Sequence, residues 1–331
     1  MVTVKILVVS QHFWPENFRV NDLVLGLKER GHEVTVLTGL PNYPVGDIYS
    51  EYIEDKEKYS SYENIDVIRV PVIPRKKGKG INLIFNFLSF VMNGLLLSPW
   101  KLKGRKFDKI FVFGNSPITV VIPAIFLSKL KKAPLCFWVM DLWPEMLVTM
   151  GVVKSGFQER IARRFISFLY SKCDLILGQS KAFVNSIKEL TTQPVEYFPS
   201  WSDIPHIDGR FELNHPNTFN IVFAGNIGES QDFPSILKAV EILESKKSNV
   251  KFIIVGNGRD AESVEVEIRQ KKLFSNIKLM GSYPLNLMPS LFEQSDALLV
   301  TLKSHPVYAK TIPGKLQAYL GAGKPILAML D

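Results

Sequence analysis

Cysteine is scarce: 331 residues hold only Cys136 and Cys173. Each lies in or beside an apolar run. Both therefore read as buried free thiols of a reducing compartment, and a disulfide framework is excluded. Histidine is scarce too. His12, His32, His206, His215 and His305 show no ligand spacing and there is no cysteine pair, so no metal site and no metal cofactor are expected. Acidic residues are fewer than basic ones, 32 against 40, which leaves a net charge of +8. That excess suits an anionic partner, whether membrane headgroups, phosphates or nucleic acid, without choosing among them. Short-period repeats, low-complexity tracts, the nucleotide-triphosphate P-loop and the Ser nucleophile elbow are all missing. The N-terminal "MVTVKILVVSQHF" has one Lys and a brief apolar run. It reads as a first core strand rather than a signal peptide, and a cytoplasmic protein is expected.

What is present is a folding globular composition, 46% hydrophobic and 22% charged, with length for two ordinary domains. Val4 to Ser10 is a continuous apolar run, the pattern of a parallel strand covered on both faces. Helical periodicity follows from Asn17 to Arg30, with Gly31 at the helix C′ position, and then the strand "HEVTVLTG". This βαβ unit predicts a parallel sheet. Further strands read at "IDVIRVPVI", "DKIFVFG", "APLCFWVM", "CDLILGQS" and Val195 to Ser200. Around Trp201 to Pro216 the chain turns polar, with Pro205, Gly209 and Pro216. A second alternation starts at "FNIVFAGN". The expected architecture is α/β: an N-terminal doubly wound domain at 1–203, a linker at 204–217 and a second doubly wound domain at 218–331, facing across a cleft with ligands at the strands' carboxyl ends. Asp331 comes just after a strand, where such a domain would normally continue, so the second domain is expected to be incomplete.

The most apolar stretch is "INLIFNFLSFVMNGLLL", Ile81 to Leu97. Asn82, Asn86, Ser89 and Asn93 share one narrow helical stripe, and the rest of the circumference is apolar. Arg75, Lys76, Lys77 and Lys79 precede it; Lys101, Lys103, Arg105 and Lys106 follow. Three readings stay open: a transmembrane span, a core helix, and a helix at an anionic membrane surface.

Four stretches carry chemistry. In "SQHFWPENFRVNDL" a strand gives way to a helix through His12, Trp14, Pro15, Glu16 and Asn17. The plain alternative is a turn in which Asn17 caps the helix and Trp14 is buried. In "WVMDLWPEM" Asp141 follows a core strand, placed to accept a proton or hold a hydroxyl; an N-cap Asp is the alternative. No partner acid stands at a readable spacing, so a double-carboxylate hydrolase is not indicated. In "FAGNIGESQDF" Gly225 and Gly228 end a strand before a helix starts near Asp232, and "VGNGRD" repeats the theme with Gly256 and Gly258. Such turns bring backbone N–H groups close to phosphate. In "TIPGKLQAYLGAGKPIL" Pro313 suits a first helical turn, Gly314 permits close approach of a ligand, and Lys315 adds a point charge to the helix N-terminus. Ordinary capping explains any one of these helix starts, and all three together less well. A DNA-binding role is weak, because the basic residues flank an apolar helix and do not line a recognition helix.

These stretches, with "GHEVTVLTGLPNYPVG" and "FPSWSD", resemble the retaining glycosyltransferases of family 4, which have the GT-B fold, over nearly the full length of the chain. Within that family the likeness is to bacterial O-antigen, capsule and colanic-acid transferases, including the N-acetylfucosamine transferase group. The resemblance implies a sugar moved, with retention and without bound metal, from a nucleotide diphosphate donor, UDP favoured, to a polyprenyl-diphosphate-linked saccharide at the cytoplasmic membrane face. It implies a donor site of Gly225, Asn226, Gly228, Gln231, Gly256, Gly258, Pro313, Gly314 and Lys315. It also implies catalytic roles for Asp141 and Glu16, and acceptor contacts from His12, Trp14, Asn17, Arg19, Trp143 and Glu145. Many relatives carry a basic pair near Asn226 and Gln231, which makes Lys315 the candidate for the missing charge. Two glutamates of many relatives are replaced by Lys310 and Ala318. A nucleotide-sugar epimerase of the same fold and a non-catalytic membrane-bound subunit are the competing readings.

Overall fold

The structure is a computed structural model, and it describes residues 2–76, 80–115, 117–149, 153, 156–202, 209–213 and 217–330. Lys77, Lys79, Pro205, His206, His215, Pro216 and Asp331 lie outside the described residues, as does most of the expected linker. The chain divides into two compact units, Met1–Pro199 and Ser200–Asp331.

The first unit runs β1 (Lys5–Val9), α1 (Arg19–Glu29), β2 (Glu33–Gly39), α2 (Ser50–Glu54), β3 (Ser61–Tyr62), β4 (Ile65–Val70), α3 (Gly80–Lys101), β5 (Lys109–Gly114), α4 (Val121–Lys131), β6 (Leu135–Val139), α5 (Glu145–Thr149), α6 (Phe157–Tyr170), β7 (Leu175–Gly178), α7 (Lys181–Lys188) and β8 (Val195–Tyr197). Its strands form one sheet in the order β3-β4-β2-β1-β5-β6-β7-β8. All neighbours are parallel except the short β3–β4 pair. The continuous apolar strands are buried on both faces, as their composition requires: Leu7, Val8 and Val9 have no exposure. The order reverses between β1 and β5, so the loops after these strands flank a crevice at the sheet's carboxyl edge.

The polar stripe of α3 is what docks on the protein. Asn86 Nδ2 donates to the Ile73 carbonyl at 2.7 Å, Ser89 Oγ accepts from Ile73 N at 2.8 Å, and Asn93 Nδ2 donates to the Pro71 carbonyl at 2.8 Å. These three side chains pair the backbone leaving β4, which no neighbouring strand serves there. On another side Gly94 lets Pro123 of α4 close in; a Cβ at 94 would stand 2.8 Å from Pro123 Cγ. Phe90 and Val91 are buried with the core, while Ile84, Leu88, Met92, Leu96 and Trp100 face outward, all exposed. By length and composition α3 could cross a membrane, yet only 22% of its most apolar 18-residue window is buried. The core-helix reading holds for one side of α3, through Phe90 and Val91, and the surface reading concerns the other. The crossovers β4→β5, β5→β6 and β6→β7 all run the same way across the sheet, so right-handedness puts α3, α4 and α6 on one face. That face also exposes Phe126 and Leu130 of α4, and Phe157, Ile161, Phe165 and Phe168 at helical spacing on α6.

The second unit runs β9 (Phe219–Ala224), α8 (Phe233–Ser245), β10 (Val250–Val255), α9 (Ala261–Lys271), β11 (Ile277–Gly281), α10 (Met288–Glu293), β12 (Ala297–Thr301), α11 (Gly314–Ala322) and β13 (Ile326–Met329). Its parallel sheet has the order β11-β10-β9-β12-β13, reversing between β9 and β12. Helix α11 ends at Gly323, whose φ of 65° is the left-handed cap that glycine takes without steric cost.

Candidate functional site

In the first unit the turn after β1 is built around a buried carboxylate. Glu16 Oε1 accepts from the backbone N–H of Asn42 at 2.8 Å and of Tyr43 at 2.7 Å. Its Oε2 accepts from Phe13 N at 3.2 Å, and His12 Nδ1 lies 3.0 Å away. Both residues are almost wholly buried, and His12 stacks on Phe18 with ring centroids 5.3 Å apart. Every acceptor direction of Glu16 is thus taken by the chain's own donors. The expected catalytic role does not fit this geometry: Glu16 clamps the loop after β2 to the turn after β1. His12 is held inside the same cluster.

Three neighbours also differ from expectation. Trp14 leans on Tyr59 and Tyr62, at 4.9 and 5.3 Å between centroids, which is packing rather than a ligand platform. Arg19 pairs with Asp22 at 2.9 Å. Asn17 is exposed and does not cap α1, whose N-cap is Phe18; the turn is tied instead by Asn21, which donates to the Glu16 carbonyl at 2.8 Å and accepts from Trp14 N at 3.2 Å.

Asp141 stands half-buried two residues after β6, in a loop held by Gln179 Nε2 donating to the Met140 carbonyl at 2.7 Å. Trp143 is buried and its Nε1 has no partner among the described residues. Glu145 opens α5 and lies 3.9 Å from Arg163 of α6. Gln11 Oε1 and Asn115 Oδ1, buried and without a hydrogen-bond partner among the described residues, follow β1 and β5, the two strands at the reversal.

Arg75 is the cation that sequence reasoning assigned only to a basic flank. Its guanidinium lies 4.8 Å over the Tyr43 ring, and among the described residues it has no hydrogen-bond or ion-pair partner. Burial lowers its pKa, with Tyr43 and Glu16 acting the other way. The placement is built in steps: Glu16 holds Asn42 and Tyr43, Gly46 N donates to the Asn42 carbonyl at 2.7 Å, and Lys76 N donates to the Gly46 carbonyl at 2.7 Å. Gly46 has φ 102° and its Cβ position is filled by the Lys76 carbonyl, so only glycine fits there.

In the second unit two glycine turns interlock at the carboxyl ends of β9 and β10. Gly225 has φ 148° and Gly256 has φ 141°. A Cβ on Gly256 would collide with the Gly225 carbonyl, and one on Gly258 with the Ile227 carbonyl. These two glycines let one turn sit on the other, so their contribution to a ligand runs through the turn they support. Gly228 accepts from Gln231 N at 2.9 Å, and Asp232 caps α8. Asn226 and Gly225 are exposed.

Lys315 reaches this turn from the first turn of α11. Its Nζ donates to Gln231 Oε1 at 2.8 Å, lies 3.5 Å from the centroid of Phe223, and stands 3.2 Å from the Cβ position of Gly225. Among the described residues no carboxylate pairs with it. Burial beside a neutral amide and a neutral ring brings its pKa down to about 7. Pro313 is the N-cap of α11, and no side chain caps the first turn. A Cβ at Gly314 would meet nothing, so its backbone borders open space. Gly225, Gln231, Gly314 and Lys315 are thereby brought together at the reversal of the second sheet. Three residues there escaped sequence reasoning. Tyr319 brackets Ala224, its hydroxyl 2.7 Å from the Ala224 N–H and 3.2 Å from its carbonyl; Lys303 N donates to the Ser230 carbonyl at 2.9 Å; and Thr301 has a buried Oγ1 without a partner among the described residues. An apolar strand end followed by polar residues was the signal available for the last two.

Two doubly wound sheets with their loops at the carboxyl edges are the architecture of the GT-B fold class, and solved GT-B glycosyltransferases share it. Anabaena HepE in complex with UDP and glucose superposes with a TM-score of 0.65 at 14% identity, over 98% of this chain and 80% of that one. WaaG, a glycosyltransferase involved in lipopolysaccharide biosynthesis, gives 0.62 at 15% identity, over 98% and 80%. The chain belongs to the glycosyl transferase 4-like family: residues 17–201 match that domain, and residues 208–329 match glycosyl transferases group 1. The glycosyl transferase WcaI of Escherichia coli K12, named for colanic acid biosynthesis, is 26% identical over 96% of this chain and 81% of its own length.

Proposed function

We propose that this transferase moves a sugar, with retention, from a UDP-sugar to a lipid-linked saccharide in bacterial surface polysaccharide assembly, working on the inner face of the cell membrane. The observation that carries the donor half is Lys315: a half-buried cation without an acid, at a helix N-terminus, over an exposed glycine turn. A leaving nucleotide diphosphate develops negative charge, and preorganised N–H groups and a cation meet that charge without reorganisation. In this reading the charge is met without an essential metal. The names of HepE with UDP and of WcaI support the donor class and the pathway class. If the resemblance read in the sequence to N-acetylfucosamine transferases extends to the substrate, UDP-linked deoxy amino sugars are the first donors to assay.

The acceptor half rests on the first sheet's carboxyl edge. Asp141 would position the acceptor hydroxyl. Arg75, a cation beside the Glu16 cluster with no hydrogen-bond or ion-pair partner among the described residues, would meet an acceptor phosphate. The outward apolar face of α3, with Lys101 at its end and Lys103, Arg105 and Lys106 beyond it, would rest on an anionic bilayer.

The test is a thermal-shift panel of UDP, GDP, ADP and dTDP without metal, on wild type and Lys315→Met. Stabilisation by UDP that the variant loses is the expected result. No shift by any nucleotide in the folded wild type would sink the donor reading. Asp141→Asn is expected to keep the UDP shift and to lose transfer by 10²-fold or more, the scale of a positioned acid-base group.

A further inference from the structure

At the outer edge of the N-terminal sheet lies a cavity of about 340 Å³, walled by Tyr52, Lys56, Tyr59, Arg69, Lys101 and Arg105 among others. Four of its described lining residues are cations and none is an acid. Arg105 is paired from outside, by Asp66 at 2.6 Å. Arg69 is buried, and its bonds run to the carbonyls of Gly39, Tyr59 and Trp14 rather than to a carboxylate. Burial lowers its pKa to about 10, so it stays charged at neutral pH. Those carbonyls, the Tyr52 ring 5.6 Å away and the field of Glu16 answer its charge, and no carboxylate of the cavity wall pairs with it.

The cavity also has an open backbone edge. β3 pairs with β4 only through Ser61↔Asp66 and Tyr62↔Ile65, and β4 has no other strand on that side. Cations at a bare edge serve against unwanted strand pairing; a cavity with a buried Arg in its wall goes further. Lys101 ends α3, so the cavity adjoins the helix whose apolar face points outward, and Trp100, next to Lys101, is 77% exposed. The cations outweigh the partial negative charge of the helix C-terminus.

We propose that this cavity binds the phosphate of an anionic phospholipid, whose acyl chains lie along the exposed face of α3 beside Leu96 and Trp100. The assignment rests on the membrane-surface reading of α3 and deepens it. A general basic surface would bind any anionic bilayer; a walled site takes one headgroup and saturates.

The experiment titrates the full chain with dihexanoyl phosphatidylglycerol below its micelle concentration, and with dihexanoyl phosphatidylcholine and inorganic phosphate. Lys56 and Lys101 are both exposed, so the variant K56A/K101A keeps the fold; K103A/K106A removes the same charge outside the cavity. Saturable binding of the glycerol lipid is expected, weakened fivefold or more in K56A/K101A and within twofold of wild type in K103A/K106A. Equal weakening in both variants, or no saturable binding, overturns the proposal. Inorganic phosphate binding as tightly as the lipid would overturn the lipid assignment. Vesicle flotation of L88S/L96S reads the surface role of α3 separately, so vesicle binding without monomer binding would retire the cavity and leave the surface role standing.

Discussion

Glu16 and Lys315 are opposite cases of a charged side chain taken out of water. Glu16 is fully bonded by three backbone N–H groups and His12. Glu16→Gln turns one oxygen into a donor facing donors, and should cost about 2–4 kcal/mol. Four of the five tryptophans, Trp14, Trp100, Trp138 and Trp143, belong to the first unit, so tryptophan fluorescence during denaturation reads that loss. A change under about 0.5 kcal/mol would remove Glu16 from its clamping role. Lys315 has no acid partner among the described residues, and its folded pKa of about 7 lies below the ordinary 10.5. Between these values the unfolded chain binds more protons than the folded one, so stability rises with pH across that window. Below pH 7 the cost of the buried charge is fully present. Lys315→Met is therefore expected to be more stable than wild type at pH 6, with the difference shrinking towards pH 10. Diphosphate binding favours the charged form, so at pH 8 UDP binding should take up a proton. Calorimetry in buffers of different ionisation enthalpy measures that uptake, and zero uptake would contradict the assignment.

Helix α3 shows how one element divides its duties. Its polar residues hold the segment 71–73, Phe90 and Val91 enter the core, and the apolar side with Leu88, Met92 and Leu96 faces outward. Asn86 is buried, donates to Ile73 and accepts from Gln11 Nε2 at 2.8 Å. Asn86→Ala should cost about 2–3 kcal/mol, because buried partners lose their bonds. Leu88→Ser, on the exposed face, should change stability by about 0.5 kcal/mol or less. An ordinary amphipathic core helix would give the reverse ranking, and the two denaturation midpoints decide between them.

At the scale of the whole molecule, each unit carries its own reversal point, the first between β1 and β5 and the second between β9 and β12. Saturating UDP at about 100 times Kd should add about 2.7 kcal/mol to the state that binds it. Hydrogen exchange is expected to slow in the segments 223–231, 255–260 and 313–319. Protection confined to the first unit would move the nucleotide site and refute the donor assignment.

The α/β order, the parallel strands and the glycine-and-lysine helix starts were legible without coordinates. Burial on both faces of a parallel sheet demands continuous apolar runs, and those can be read along a chain, as at Val4 to Ser10. Two matters needed the tertiary structure. Which face of α3 meets the protein depends on where the backbone after β4 needs partners, and periodicity marks a stripe without saying what it touches. Whether a charged side chain is bonded or waiting depends on groups far away in sequence. Glu16 is answered by Asn42 and Tyr43, and Lys315 by Gln231 and Phe223. A spacing pattern names the residue types near a site, but only the packed chain decides which polar groups are already satisfied and which are left for a ligand.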